Sequence, residues 1–151
     1  MNETTTVVPL EWRVDDRGKL VQIFDSDLNA KRIYIVGNFS KGVIRGFHGH
    51  MREWKHFFVI KGCAKFVVVP HEVDRGVSDP SKLLGKIETY VLSDKKPSIL
   101  SVPPHHYNGW VSLEDDTILM GISDKNLEES INDDFRIDPF TFGDVWGVKH
   151  R

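Results

Sequence analysis

Residues 41–62 read Lys-Gly-Val-Ile-Arg-Gly-Phe-His-Gly-His-Met-Arg-Glu-Trp-Lys-His-Phe-Phe-Val-Ile-Lys-Gly. Two segments within it, Ile44–His50 and Lys55–Ile60, have strand composition and are joined by a short polar turn. Side chains alternate across a strand, so His48 and His50, two residues apart, point to one face. Arg45 opens the same strand. Outward from this stretch the pattern recurs at Lys19–Phe24, Arg32–Asn38, Ala64–Val69, Ile87–Leu92, Ser98–Val102, Trp110–Leu113 and Thr117–Ile122. Turn residues separate the segments, as in Asp16-Arg17-Gly18 and Ser78-Asp79-Pro80-Ser81. Many short strands with frequent turns predict an all-β sandwich or barrel, one domain over residues 1–151. The exceptions are an irregular tail from Asp124 and a helical turn near Leu127–Ile131. Pro70–Lys86 reads as a solvated surface loop, with a lid or subunit contact as its alternative.

At 151 residues the chain is long enough to bury a sizeable core, and its 40% hydrophobic and 28% charged content suits a globular protein. A formal net charge of -2 gives no pull toward nucleic acid or an anionic membrane. Apolar runs such as Phe66–Val69 are strand-length, far below the roughly 20 residues of a membrane span. The single Cys63 excludes an internal disulfide framework and suits a reducing compartment. Polar Met1–Thr6 lacks a signal-peptide pattern, so a cytoplasmic protein is expected.

Two imidazoles on one face suit a metal or proton chemistry, and a hydrogen-bonded structural pair is the alternative. Gly46 and Gly49 flank His48 and would let another backbone or a ligand approach. The spacing resembles the first cupin motif, a glycine, His-x-His, a glutamate and a second glycine, with Gly42, His48, His50 and Gly62 in place. That resemblance implies a double-stranded β-helix, or jelly-roll, barrel. Lys55 stands where the glutamate ligand is expected, with Glu53 nearby. Asn108, in Pro103-Pro104-His105-His106-Tyr107-Asn108, stands where the second motif has its histidine. An ammonium repels a divalent cation and Asn is a poor transition-metal ligand, so no metal and no cofactor are expected. A site rebuilt from His105 and His106 is the alternative. Without a metal, a histidine near its ordinary pKa of about 6.5 can take a proton beside a carbonyl. Lys55 can then stabilise the enolate oxygen. Asp138, before Pro139, is a candidate to orient the base and equally a candidate turn cap.

Over most of its length the chain resembles the dTDP-4-dehydrorhamnose 3,5-epimerases and their relatives, the dTDP-sugar 3,4-ketoisomerases. The matching pieces are Asp16–Leu20, Arg45–His48, Ser78–Ser81 with Leu84–Lys86, Val102–Pro104, and Phe135–Pro139 with Trp146. The resemblance implies His48 as general base, Asp138 as its partner and Lys55 beside the sugar carbonyl. It implies Arg17 and Arg45 on the diphosphate, where a planar guanidinium fork fits. Gln22, Asn108 and His106 are the further expected substrate contacts. Family members are dimers that exchange N-terminal strands, so Val7–Phe24 would cross a subunit boundary.

The epimerases also carry a tyrosine acid, and Met120 aligns with it here. Tyr34 and Tyr107 are the candidate replacements, each with packed-core aromatic as its alternative, and His50, His105 and His106 are further candidate donors. The expected activity is epimerisation beside the C4 ketone of a nucleotide-linked 4-keto-6-deoxyhexose. Rival readings are a 3,4-ketoisomerase using His48 and His50, a non-catalytic sugar-binding cupin, and a metal-dependent cupin enzyme.

Overall fold

Phe66-Val67-Val68-Val69 is apolar at four successive positions, a pattern a strand adopts where both its faces are covered. The computed structural model, which describes residues 3–24 and 29–151, bears this out. Its strands are β1 (Thr6–Pro9), β2 (Arg13–Asp15), β3 (Gly18–Leu20), β4 (Arg32–Asn38), β5 (Ile44–His50), β6 (Lys55–Lys61), β7 (Cys63–Pro70), β8 (Glu88–Ser93), β9 (Ser98–Val102), β10 (His106–Ser112), β11 (Thr117–Ser123) and β12 (Phe135–Arg136). One short helix, α1 (Leu127–Ile131), lies between β11 and β12. Two five-stranded sheets, β1-β9-β6-β11-β4 and β12-β5-β10-β7-β8, pair antiparallel throughout. Among the described residues the β2–β3 hairpin pairs only with itself. This is the jelly-roll expected of the sequence.

Alternation along β7 and β10 sends their side chains into two separate cores. Phe57, Phe66, Val68, Leu100, Trp110 and Leu119 fill the space between the sheets. Phe47, Val67, Val69 and Tyr107 face the other way, beneath Val73, Leu83, Phe142 and Trp146. The second sheet is therefore covered on its outer face by the 71–87 connection and by the C-terminal tail. Most of Pro70–Lys86 is solvent-exposed, as expected of a surface loop, but it is not wholly irregular. Its two 3₁₀ turns, Val73–Arg75 and Pro80–Lys86, bury Val73 and Leu83 against the sheet.

Trp146 packs at 4.8 Å from the Phe47 ring, and its indole nitrogen donates to the Pro139 carbonyl at 2.7 Å. It can lie flat there because Gly46 and Gly109 have no side chain. A Cβ at Gly109 would stand 2.8 Å from the indole edge, and one at Gly46 would stand 2.9 Å from the Gly109 Cα. The glycines around His48 thus serve strand and tail packing rather than ligand approach.

The expected bounds of Arg32–Asn38, Ile44–His50, Ser98–Val102 and Leu127–Ile131 hold. Lys19–Phe24 shrinks to Gly18–Leu20, because pairing ends where the three-residue partner β2 ends. β10 starts four residues before the expected Trp110, directly after the Pro-Pro-His turn. A capping box between Asn126 and Glu129 starts α1 and fixes the side on which Ser130 is buried. No helix among the described residues is long and apolar enough to cross a membrane. Trp146→Ala is expected to cost about 3–5 kcal/mol in urea unfolding. Val148→Ala, on a side chain 78% exposed, should stay within about 0.5 kcal/mol.

Candidate active site

His48 and His50 leave β5 on the inner face, opposite Asn108 and His106 of β10 in register. Lys55, the first residue of β6, and Tyr34 of β4 enter from the facing sheet. Together they line a cleft made of two adjoining cavities, of about 290 and 490 Å³, that share Tyr34, His48, Lys55 and Arg136. The Tyr34 ring lies over Gly121, where a Cβ would overlap it. Arg32 and Lys55 flank the ring, at 5.3 and 5.5 Å from its centroid. Met120, next to Gly121, stands in register with exposed Ile35 on the outer face. The aligned acid position is therefore turned away from the cleft, and Tyr34 occupies the space above its neighbour.

His48 Nδ1 lies 3.4 Å from an oxygen of Asp134, whose other oxygen accepts from Arg136 Nε at 2.8 Å. A carboxylate only accepts, so the proton is on Nδ1 and the Nε2 lone pair is free. Burial lowers the His48 pKa from 6.5, against the opposing pull of Asp134. Burial also lowers His50, with Lys55 adding to it and Glu53 opposing. His50 Nδ1 donates to the Asp133 carbonyl at 2.6 Å, and its buried Nε2 has no partner among the described residues. Both rings are neutral at pH 7, each with its Nδ1 proton anchored.

The carboxylate beside His48 is thus Asp134 and not the expected Asp138. Asp138 is exposed and accepts from the Phe140 backbone N–H at 2.7 Å, as a turn cap does. Antiparallel pairing sets Arg136 opposite His48, which brings Asp134 to the imidazole and carries Asp138 past it. Tyr107 is likewise removed from the site, since it is buried on the outer face and donates to the Val73 carbonyl at 3.0 Å. His106 bonds the Pro104 carbonyl at 2.8 Å and lines a separate pocket with His71 and His105. Asn108 and Arg45 line the larger cavity, and Arg45 Nε is held by Asn38 at 2.7 Å. Arg17, paired with Asp15, and exposed Gln22 line neither cavity.

His50, Glu53 and Asp133 bring three metal-ligand types together, but the set does not fit an ion. The Asp133 carboxylate accepts the backbone N–H groups of Met51, Arg52 and Glu53 at 2.8, 2.9 and 3.1 Å. Glu53 is bonded to Arg32, Ser123 and Ser130, and Lys55 lies 3.6 Å away. Two cations and a filled carboxylate leave no coordination sphere. Sequence reasoning missed Arg32, Asp134 and Arg136, and weighed Glu53 only as a metal ligand. Asp134 and Arg136 are two apart beside Phe135, a short alternation that could have marked an edge strand.

The sequence profile described as dTDP-4-dehydrorhamnose 3,5-epimerase matches residues 3–146. No curated protein matches the chain. Among solved structures, the dTDP-4-dehydrorhamnose 3,5-epimerase of Sulfolobus tokodaii is 22% identical with a TM-score of 0.77, over 96% of this chain and 82% of that one. That of Bacillus anthracis, with TDP and pyrophosphate bound, is 19% identical with a TM-score of 0.77, over 97% and 86%. The sugar 3,4-ketoisomerase of Thermoanaerobacterium thermosaccharolyticum, in complex with TDP, is 17% identical with a TM-score of 0.65, over 94% of both chains.

Nitrogen NMR should find both imidazoles as Nδ1–H tautomers, with midpoints below 6.5. Asp134→Asn should move the His48 midpoint to lower pH, because the anion that favours the imidazolium is gone. Asp138→Asn should leave it in place, and the opposite pattern would restore the original pairing.

Proposed function

Because the chain belongs to the dTDP-4-dehydrorhamnose 3,5-epimerase family, we propose that it epimerises a nucleotide-linked 4-keto-6-deoxyhexose beside its C4 ketone. The observation that carries this is a neutral base, a cation and a phenol lining one cleft, the base from one sheet and the other two from the facing sheet. His48 Nε2 removes the proton on the carbon next to the ketone, and the C–H electrons move onto the ketone oxygen. The Lys55 ammonium stabilises the enolate that forms. Tyr34 returns a proton to the opposite face of the same carbon, the enolate collapses to the ketone, and the configuration is inverted. Solvent takes the proton from His48 and resupplies Tyr34. Arg45 and Arg136, in the larger cavity, suit the diphosphate.

The chain works as a homodimer in this reading. Among the described residues the β2–β3 hairpin joins neither five-stranded sheet, and Val14 on it is 74% exposed. Ile33 and Ile35 are exposed on the outer face of the first sheet. A second copy would cover these and bring Arg17 and Gln22 to a site that a single chain leaves without them. The protein serves deoxysugar biosynthesis in the cytoplasm, as one cupin domain.

One observation favours 3,4-ketoisomerisation as a second reading: the unpartnered Nε2 of His50 on the same wall as that of His48. Two bases on one wall suit proton transfer between adjacent carbons on one sugar face. Proton NMR of dTDP-4-keto-6-deoxyglucose with the protein in D2O separates the readings. Loss of the C3 or C5 proton signal with the ketone still at C4 is expected, and His48→Ala should slow it at least about 100-fold. A ketone at C3 selects the second reading. Unchanged spectra with the dTDP-, GDP-, CDP- and UDP-linked sugars would contradict both.

A further inference from the structure

Glu53 takes no part in the chemistry above, yet its side chain is fully buried beside the cleft. One carboxylate oxygen accepts from Arg32 at 2.9 Å and from Ser123 Oγ at 2.6 Å. The other accepts from Ser130 Oγ at 2.8 Å. Lys55 Nζ lies 3.6 Å from the first oxygen, and His50 Nδ1 lies 3.2 Å from the second. Five elements meet at this one group: β4 through Arg32, β5 through His50, β6 through Lys55, β11 through Ser123 and α1 through Ser130.

Burial raises the Glu53 pKa, but Lys55, Ser123, His50 and Ser130 outweigh it and hold the carboxyl below its ordinary value. The group is an anion at neutral pH. Its short bonds go to Arg32 and the two serines. Lys55, beyond hydrogen-bond length, is held by charge alone, so its N–H bonds remain available to a ligand. His50 presents Nδ1 to the anion and to the Asp133 carbonyl, which leaves its buried Nε2 unpartnered among the described residues at the cleft wall.

We propose that Glu53 is a positioning residue, which aims the Lys55 ammonium and the His50 imidazole into the cleft and ties both to α1 at its mouth. The inference rests on the cleft being the site of enolisation. Glu53 touches no substrate, so its loss should act on turnover more than on binding.

Glu53→Gln keeps the shape and removes the charge. The expected result is a kcat lower by about 10-fold or more with KM changed less than about threefold. The charged groups facing His50 are Lys55, Glu53 and Asp133. Removing the Glu53 anion should therefore move the His50 midpoint, followed by NMR, to lower pH and leave that of His48 in place. A wild-type kcat in Glu53→Gln would overturn the proposal. So would an unmoved His50 midpoint, even if the tested sugars prove to be the wrong substrates. If circular dichroism shows Glu53→Gln unfolded, Ser130→Ala removes one bond to the carboxylate and should lower kcat severalfold at constant KM. An unchanged kcat in that variant would overturn the tie to α1.

Discussion

The antiparallel pairing of β5 with β10 is the constraint from which the rest of the molecule follows. It fixes a register in which inner positions carry polar chemistry and outer positions carry packing. His48 and Asn108 share the inner face, and Phe47 and Tyr107 share the outer one. A slip of one residue would exchange the two sets, burying imidazoles under the tail and turning Phe47 into the cleft. The outer core guards against that slip. Trp146 seated over Gly46 and Gly109, and Val73 against Gly49, leave no room for a shifted strand. Tail and connection therefore stabilise the register that makes the cleft, although they bring few atoms to it.

Electrostatics in the cleft follow a second logic. Arg32, Lys55, Arg45 and Arg136 bring positive charge, and Glu53 and Asp134 answer it. Glu53 is fully buried behind His50 and Lys55, and Asp134, partly exposed at the cleft wall, stands beside Nδ1 of His48. Each keeps an Nδ1 proton or an ammonium in position without competing for the ligand side. Burial lowers both imidazoles, so the site holds neutral bases beside fixed cations. That combination suits removal of a proton from carbon and support of the resulting oxyanion.

Much of this was legible in the sequence, because period-two patterning and turn residues are local signals. Ile44–His50 and Arg32–Asn38 could be bounded from composition alone, and His48, His50, Lys55 and Tyr34 all reach the cleft. What failed depended on distant partners. Asp138 lies in the matching motif, but strand pairing decides which acid meets the imidazole, and it selects Asp134. Tyr107 alternates outward because Asn108 alternates inward. Pro70–Lys86 is mostly solvated, as read, but the burial of Val73 and Leu83 in its two 3₁₀ turns depends on the sheet beneath them and had no local signal. Arg17, in the β2–β3 turn, and Gln22, just past β3, line neither cavity.

The proposed epimerisation divides labour across the cleft, with the base His48 on one sheet and the proposed proton donor, Tyr34, on the other. The most direct test is Tyr34→Phe with the 4-keto sugar in D2O, following deuterium uptake and product configuration together. Exchange at the carbon beside the ketone should persist, because His48 can remove and return the proton on its own face. Inverted product should fall by about 100-fold or more. Inversion at the wild-type rate would contradict the account and move the proton donor elsewhere in the cleft.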